Sequence, residues 1–473
     1  MLASSINEMN YNAFHAFQYD NDFYIFDIKQ LYYCTIEKEF YENLLNNEVC
    51  QEKSQKKLLE YFESRKVFFY NIPKEEYVLS YPDSIIISLA LTHRCNLACK
   101  YCFANSGRNQ NGAIKSFTIN SINQLIDFLL HDPYFSQITY FRFNLVGGGE
   151  PLIDKKLLLD FVKITSERFN KAHKHLYIWF ATNGTLLTLD ILSELSRYNI
   201  GYGISLDGEL NVNDACRVYP SGKGTFEDIN NNINKIKKST LPSNMKELWG
   251  LMVCTNYNHN WVDSLLQMKE MGFSTVQMRF ARTKDDTLLV NEAQLLRNAH
   301  SLIDKLFYTA INGDISLLCL ICNDNDYFGK IVKRIILNMI SEVRCGAGSC
   351  MFSIAADGKI YPCDSFVGDN NYVIGDIYNG FIEHKLNRYR DLSIFKRPLC
   401  RTCWARYVCG GDCYHNSLLS SGNMLIPDAL FCKVIKCTTE QIIARCNSLR
   451  KINPKSFDAL KRFLFIRERL SQK

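Results

Sequence analysis

The sequence predicts an α/β protein built on a partial barrel of six β/α units, with a small α+β module before it and a cysteine-rich region after it. Between Ile85 and about Asn312, apolar strand-like runs alternate with helix-like ones. Aromatic and β-branched runs crowd the first 82 residues, and from Cys345 onward short segments dense in Cys, Gly and Asp replace the apolar periodicity. At 473 residues the chain exceeds what one hydrophobic core supports, so two or three domains are expected.

Residues 1–82 contain two β-rich runs, Phe23 to Ile28 and Leu31 to Ile36, then helix-like stretches at Phe40 to Leu45 and Lys56 to Phe62, a pattern that suits a small winged-helix-like domain. Tyr81-Pro82-Asp83 breaks the chain before the barrel, expected over 83–312. Its strands are Ile85 to Leu91, Tyr140 to Val146, Leu176 to Ala181, Tyr202 to Leu206, Leu248 to Val253 and Val276 to Phe280. Among the intervening helices, Ile122, Leu125, Ile126, Leu129 and Leu130 recur at helical spacing, and Thr225 with Asp228 reads as a capping box before Ile229, Ile233 and Ile236. Strands joined by helical crossovers run parallel and bind ligands at their C-terminal ends. A bridging segment, 313–344, leads to a metal-stapled domain at 345–445 and a basic helical tail at 446–473, whose Lys455, Lys461, Arg462, Arg467 and Arg469 read as a solvated face.

Hydrophobic residues at 47% and charged residues at 22% are ordinary globular values. The 55 basic and 49 acidic side chains leave +6, too little for this length to indicate a nucleic-acid partner. MLASSINEMN lacks the form of a signal peptide and Ile85 to Leu91 is too short to span a bilayer, so no membrane association and a cytoplasmic location are expected. In a large intracellular chain, 19 cysteines point to metal binding or chemistry rather than disulfides.

Cys95-Asn-Leu-Ala-Cys99-Lys-Tyr-Cys102 follows the first barrel strand. Three thiolates at this spacing can wrap one cubane and leave one iron without a protein ligand, since an ordinary 4Fe-4S cluster takes four cysteines. A zinc loop completed by His93, or simple buried cysteines, are the competing readings. Gly147-Gly148-Gly149-Glu150-Pro151 ends the second strand, where glycines admit a ligand to the backbone and a carboxylate can accept from an ammonium.

With an aromatic before its last cysteine, the Cys95, Cys99, Tyr101, Cys102 pattern followed by the glycine motif resembles the radical S-adenosylmethionine (SAM) superfamily. The resemblance implies that Cys95, Cys99 and Cys102 hold a 4Fe-4S cluster whose open iron chelates SAM, and that a 5'-deoxyadenosyl radical results. It places Gly148, Gly149, Glu150 and Pro151 at the SAM amino group, and Asn183 of Thr182-Asn183-Gly184 at the reactive rim. By likeness to sulfatase-maturing and peptide-modifying members, Ser205 and Arg217 hold the SAM carboxylate and Asp207 lies near the ribose; a surface salt bridge is the other reading of Arg217.

Cys345, Gly358 and Cys363, then Cys400-x2-Cys403-x5-Cys409-x3-Cys413 and Cys432, match the SPASM spacing. SPASM domains belong to radical SAM enzymes that modify peptides and proteins, and full ones carry two auxiliary 4Fe-4S clusters. Cys350 supplies the eighth thiolate. The family's crossed arrangement assigns Cys345, Cys350, Cys363 and Cys413 to the first auxiliary cluster and Cys400, Cys403, Cys409 and Cys432 to the second, with Cys437 a rival for the last place; three clusters result in all. A pair of zinc sites is the alternative. Asp364, after Cys363, resembles the proton-accepting aspartate of sulfatase-maturing enzymes, and reads equally as a turn residue. Cys34, Cys50, Cys216, Cys254, Cys319, Cys322 and Cys446 read as small buried hydrophobes.

In pattern the first 80 residues resemble the recognition element that reads the leader of a ribosomally made peptide, which adds as a strand to a sheet edge, here within Phe23 to Ile36. The implied function is maturation of a precursor peptide: hydrogen abstraction, then a crosslink, a thioether first and a carbon–carbon bond second. An electron donor such as flavodoxin or ferredoxin is implied. Conversion of a sulfatase Cys or Ser to formylglycine is the runner-up, and a catalytically silent metal scaffold or peptide binder is the reading from another class.

Overall fold

A computed structural model describes residues 13–46, 53–68, 83–102, 116–281, 283, 285–390 and 392–471. They form two compact units, one drawn from residues 79–294 and 345–391, the other from 1–78, 295–344 and 392–472. Cys50, Tyr81 and Pro82 lie outside the described residues.

The first unit contains the expected parallel sheet. β4 (Ser84–Leu89), β5 (Tyr140–Leu145), β6 (His175–Thr182), β7 (Ile200–Ser205), β8 (Leu248–Cys254) and β9 (Phe273–Phe280) pair in sequential order, all parallel. On β5, Phe141 and Phe143 turn to the helix Lys155–Lys171 and meet Phe161 and Phe169 edge-on, at ring centroids 4.9–5.6 Å apart. Burying such a side chain is worth roughly 1.5–3 kcal/mol, which fixes that face against the helical layer. Alternation then sends Arg142 to the opposite face, 5.4 Å over the ring of Tyr177 on β6. The strand order is open-ended, as a partial barrel requires.

Beyond β4 the sheet continues through β10 (Met351–Ile354), parallel to β4, then through antiparallel β11 (Lys359–Tyr361), β12 (Gly375–Asp376) and β13 (Gly380–Phe381). The start of the cysteine-rich region is thus part of the barrel sheet, which its sequence did not suggest. The capping box expected at Thr225 is not formed. The helix Phe226–Lys238 is present with Ile229, Ile233 and Ile236 buried, but Asp214 Oδ1 accepts from the Thr225 and Phe226 N–H groups at 2.8 and 2.9 Å, while the Thr225 hydroxyl donates to the Arg217 carbonyl. A carboxylate brought by the fold displaces the local cap.

In the second unit, β1 (Phe14–Tyr19), β2 (Asp22–Asp27) and β3 (Tyr33–Ile36) form an antiparallel sheet in the order β1-β2-β3, followed by helices Lys38–Asn46 and Lys53–Ser64. Ile25, Ile36, Phe40, Leu44, Leu59, Phe62 and Phe68 make its core. β1 packs on the helix Ala429–Ile452 of the same unit, to which His15 bonds at Glu440 (2.8 Å), and Arg445 pairs with Asp20 (2.9 Å). That helix runs through the boundary expected at 445/446 and is followed by Pro454–Ser471. Among the described residues no helix is long and apolar enough to cross a membrane.

Buried Asp27 ties this module together, accepting from the Lys29, Gln30 and Phe68 N–H groups at 3.0, 2.8 and 2.9 Å. Asp27→Ala leaves the buried Phe68 donor unsatisfied and is expected to lower stability by about 1–3 kcal/mol. Urea unfolding followed by tryptophan fluorescence reads this; an unchanged midpoint would refute the tie.

Candidate active site and metal centres

Because six strands run parallel, their C-terminal ends share one edge of the sheet, and the loops carrying the motif residues leave from it. The Cys95 to Cys102 loop has no regular secondary structure and is held from both sides. At its start, the Gly149 and Glu150 N–H groups donate to the Thr92 and Arg94 carbonyls at 2.9 and 2.8 Å; further along, the Ala98 and Lys100 N–H groups donate to the Val218 and Cys216 carbonyls at 2.8 and 3.0 Å. A Cβ on residue 149 would stand 1.9 Å from the Arg94 oxygen, so only glycine permits this approach.

Glu150 is buried and both its oxygens are engaged. Oε1 accepts from Leu152 N–H (3.0 Å) and the Thr182 hydroxyl (2.8 Å), and Oε2 from Asn183 N–H (2.6 Å). Burial pushes its carboxyl up to about 7 against the pull of those donors. Pro151, also buried, opens the short 3-10 helix that Glu150 caps. The Asn183 side chain donates to Asn96 Oδ1 (2.8 Å) and accepts from Thr185, while Asn96 donates to the Thr185 hydroxyl (2.9 Å). Asn96, which sequence reasoning passed over, therefore ties the cysteine loop to the end of β6.

Asp207 makes the second tie. Its Oδ2 accepts from the Tyr101 hydroxyl (2.5 Å), and Oδ1 from Arg217 Nη2 (3.0 Å) and Val253 N–H (2.9 Å). The Arg217 ion pair is buried, not a surface bridge, and the guanidinium lies 5.3 Å over the Tyr101 ring with Nε lacking a hydrogen-bond partner. Burial pulls Arg217 down, but Asp207 and Tyr101 outweigh it and raise it overall; burial also raises the Tyr101 hydroxyl. Burial pushes the Cys99 thiol up to about 12 against the pull of Arg217, and raises Cys95. Thiols so disposed ionise readily only when metal replaces the proton. The half-buried Ser205 hydroxyl, at the end of β7, is committed to no partner among the described residues. Asp364 reaches the same rim, since a Cβ on Gly147, where φ is +84°, would lie 2.8 Å from the Asp364 Cβ.

Cys345, Cys350 and Cys363 belong to this unit. The Gly348 N–H donates to the Pro362 carbonyl (3.0 Å), which joins the Cys345–Cys350 turn to the segment bearing Cys363. Cys413 belongs to the other unit, together with Cys400, Cys403, Cys409 and Cys432. There the turn Cys400–Cys403 is closed by Cys403 N–H to the Cys400 carbonyl (3.1 Å), and Cys432 sits in the first turn of the helix Ala429–Ile452. Asp412 accepts from the Asp428 N–H (3.1 Å) and so draws that helix start to the Cys409–Cys413 loop. The Cys432 thiol is pushed up to about 12 by burial and then by Cys409 and Cys400, with a further push from Cys403, and Cys400 is raised to about 12 by burial with Cys409 and Cys403 adding. In its chemistry the donor set, four thiols in one unit with the buried Nη2 of Arg397 that has no hydrogen-bond partner, suits an anionic metal–sulfur group, although among the described residues no three His, Cys, Asp or Glu side chains are already gathered to hold a metal ion.

Residues 89–275 match the radical SAM superfamily and residues 345–404 the SPASM iron-sulfur cluster-binding domain. A cysteine-type anaerobic sulfatase-maturating enzyme of Clostridium novyi is 26% identical over 371 residues, 76% of this chain and 94% of that protein. Mycofactocin maturase MftC of Mycolicibacterium smegmatis is 32% identical over 145 residues, 30% of this chain and 32% of that protein. Among solved structures, native anSMEcpe with bound AdoMet is 21% identical and covers 79% of this chain and 100% of its own, with a TM-score of 0.63, a likeness of fold.

Removing the charge of Asp207 while keeping its shape, in Asp207→Asn, strands the buried Arg217 cation and should cost about 3–5 kcal/mol. Tyr101→Phe keeps the ion pair and should cost less, about 1.5–3 kcal/mol. Equal losses in chemical denaturation would show that charge pairing is not what matters. Glu150 supplies a pH signature. Its folded pKa is raised, so its contribution is complete below about 4.5 and fades as pH rises through about 7. Between pH 5 and 8, cluster-free wild type should lose on the order of 3 kcal/mol more stability than Glu150→Gln, and parallel pH profiles would contradict this.

Proposed function

We propose, from the premise that the chain is a radical SAM enzyme carrying an SPASM domain, that it matures a ribosomally made peptide by hydrogen abstraction and crosslinking, with a thioether as the bond formed and a carbon–carbon bond as the next choice. When bound, SAM and the cluster of Cys95, Cys99 and Cys102 supply a 5'-deoxyadenosyl radical. Gly148, Gly149 and the Pro151 turn shape the groove for the SAM amino group, and Arg217 with Ser205 faces its carboxylate. Asp207 and Asn183 act by orienting Arg217, Tyr101 and the cysteine loop, and Asp207 would lie near the ribose of bound SAM. Closing a thioether removes one hydrogen atom from the peptide carbon, one proton from the thiol and one electron. Asp364, beside Gly147, takes the proton. An auxiliary cluster would supply the acceptor for the electron; Cys400, Cys403, Cys409 and Cys432 would hold one such cluster, and Cys345, Cys350 and Cys363 would give thiolates to another.

The observation that carries the peptide reading is the N-terminal sheet. Its outer strand, β3, pairs with β2 alone among the described strands, leaving a backbone edge on which a leader can add, in the manner of a winged-helix recognition element. A peptide substrate also agrees with the relatives, since MftC is a maturase and a solved anSMEcpe carries a Cp18Cys peptide. Formylglycine formation remains the second reading, supported by the place of Asp364 and by the coverage of 94% of the Clostridium novyi enzyme. A cytoplasmic site of action with a flavodoxin or ferredoxin as electron donor completes the proposal.

Co-expression with each short open reading frame encoded beside this gene, followed by peptide mass spectrometry, decides between them. The expected product has lost hydrogen, resists thiol alkylation and does not react with hydrazine. A hydrazine-reactive aldehyde on a sulfatase peptide would establish the second reading instead, and unaltered peptides throughout would defeat the first.

A further inference from the structure

Around Cys400, Cys403, Cys409 and Cys432 several arginines are gathered. Arg406 donates to the Cys403 carbonyl at 2.9 Å, Arg334 to the Val408 carbonyl at 2.5 Å, and the Arg344 guanidinium lies 5.5 Å over the ring of Phe431, next to Cys432. Asp412, a buried carboxylate of the Cys409–Cys413 loop, is already engaged: its oxygens accept from the Cys413 and Asp428 N–H groups, from Asn416 and from the Ser417 hydroxyl.

Arg397 is the extreme case. It is 1% exposed, its guanidinium lies 4.4 Å over the Tyr414 ring, and Nη1 donates to the Ser417 hydroxyl at 3.3 Å. Nη2 has no hydrogen-bond partner, and among the described residues no carboxylate pairs with the guanidinium. It reaches a carboxylate, buried Asp412, only through the Ser417 hydroxyl, which donates to Asp412 Oδ2 at 3.3 Å, and a permanent cation sealed from water with no direct anionic partner is unfavourable until an anion completes the site. The sulfurs are the candidates by position: the Cys400 N–H donates to the Arg397 carbonyl at 3.0 Å, the Cys409 thiol donates to the Gly411 carbonyl at 3.4 Å, and a Cβ on Gly411 would stand 3.5 Å from Arg397 Nε. Four thiolates on a cubane carry net negative charge, and one-electron reduction adds to it.

We propose that Arg397 is the buried counter-ion of the auxiliary cluster held by Cys400, Cys403, Cys409 and Cys432, and that it holds that cluster's reduction potential above the value four thiolates alone would set. The inference rests on the SPASM reading of those cysteines. A raised potential suits the cluster to accept the single electron released by a substrate radical as it closes a bond, the oxidised cluster being reduced by one electron while the proton leaves separately.

The test uses full-length, anaerobically reconstituted protein carrying Cys95→Ala, Cys99→Ala and Cys102→Ala, so that auxiliary clusters alone respond. Dithionite titration with mediators, followed by electron paramagnetic resonance, is run with Arg397, Arg397→Lys and Arg397→Gln. The Gln variant should keep full iron and sulfide yet show about a tenfold lower reduced-to-oxidised ratio at fixed potential, a shift of about 59 mV for a one-electron couple, whereas Lys stays within about threefold. Cluster loss with Gln but retention with Lys would also support the counter-ion role. Identical titrations in all three, or cluster loss with Lys and Gln alike, would overturn it. Zinc, or iron for fewer than two cubanes, in the Arg397 parent would instead defeat the reading of the cysteines.

Discussion

A carboxylate buried at the end of a strand must find donors or a cation, and the barrel mouth is organised by that requirement. The cysteine loop has no helix or strand to fix it. Asp207 supplies what it lacks, binding Tyr101 from the loop, Arg217 from the segment after helix Leu210–Cys216, and the backbone of Val253. Glu150 does the same between the glycine turn and the Thr182-Asn183 end of β6. With their charged or polar partners within bonding distance, both carboxylates hold in place residues that touch neither one, including Cys95 and Cys99.

This arrangement explains why the motif acidic residues are buried while the freer polar groups stand beside them. An acid with both oxygens engaged is a poor ligand for a second molecule, yet a good anchor for a neighbour that binds one. Ser205 retains an uncommitted hydroxyl and Arg217 an unpartnered Nε, and of these Asp207 fixes the position of Arg217. The energetic weight of a buried ion pair, several kcal/mol lost when one partner goes, makes that placement rigid.

β4, β6 and β8 were legible as near-continuous apolar runs, the mark of a strand covered on both faces, and β5 by the alternation of Phe141, Phe143 and Leu145 with Arg142 and Asn144. Their sequential parallel order followed from the helical crossovers. Less was visible where pairing is long-range or patterns are mixed. β1 alternates Phe14, Ala16 and Gln18 with His15, Phe17 and Tyr19, which gives no clean period. β10 to β13 span only two to four residues each, and nothing local says that they extend a sheet begun more than 200 residues earlier. The Thr225 cap failed for the same reason, since Asp214 is delivered by tertiary structure. Asn96 hides because an asparagine in a loop carries no pattern at all; only its bonds to Asn183 and Thr185 give it meaning.

The two cysteine sites differ in how their positive charge is spent. Beside Cys99, Arg217 is matched by Asp207, and the pair adds little net charge to whatever the three thiolates hold. Near Cys400, Arg397 has no such direct match: its Nη1 donates to Ser417, whose hydroxyl donates in turn to Asp412, and its Nη2 has no partner. Coulomb interactions in a low-dielectric interior are strong enough that such a difference separates the electron affinities of otherwise similar metal–sulfur groups. The two arginines are thus set apart by their partners, Arg217 paired directly with Asp207 and Arg397 linked to Asp412 only through the Ser417 hydroxyl.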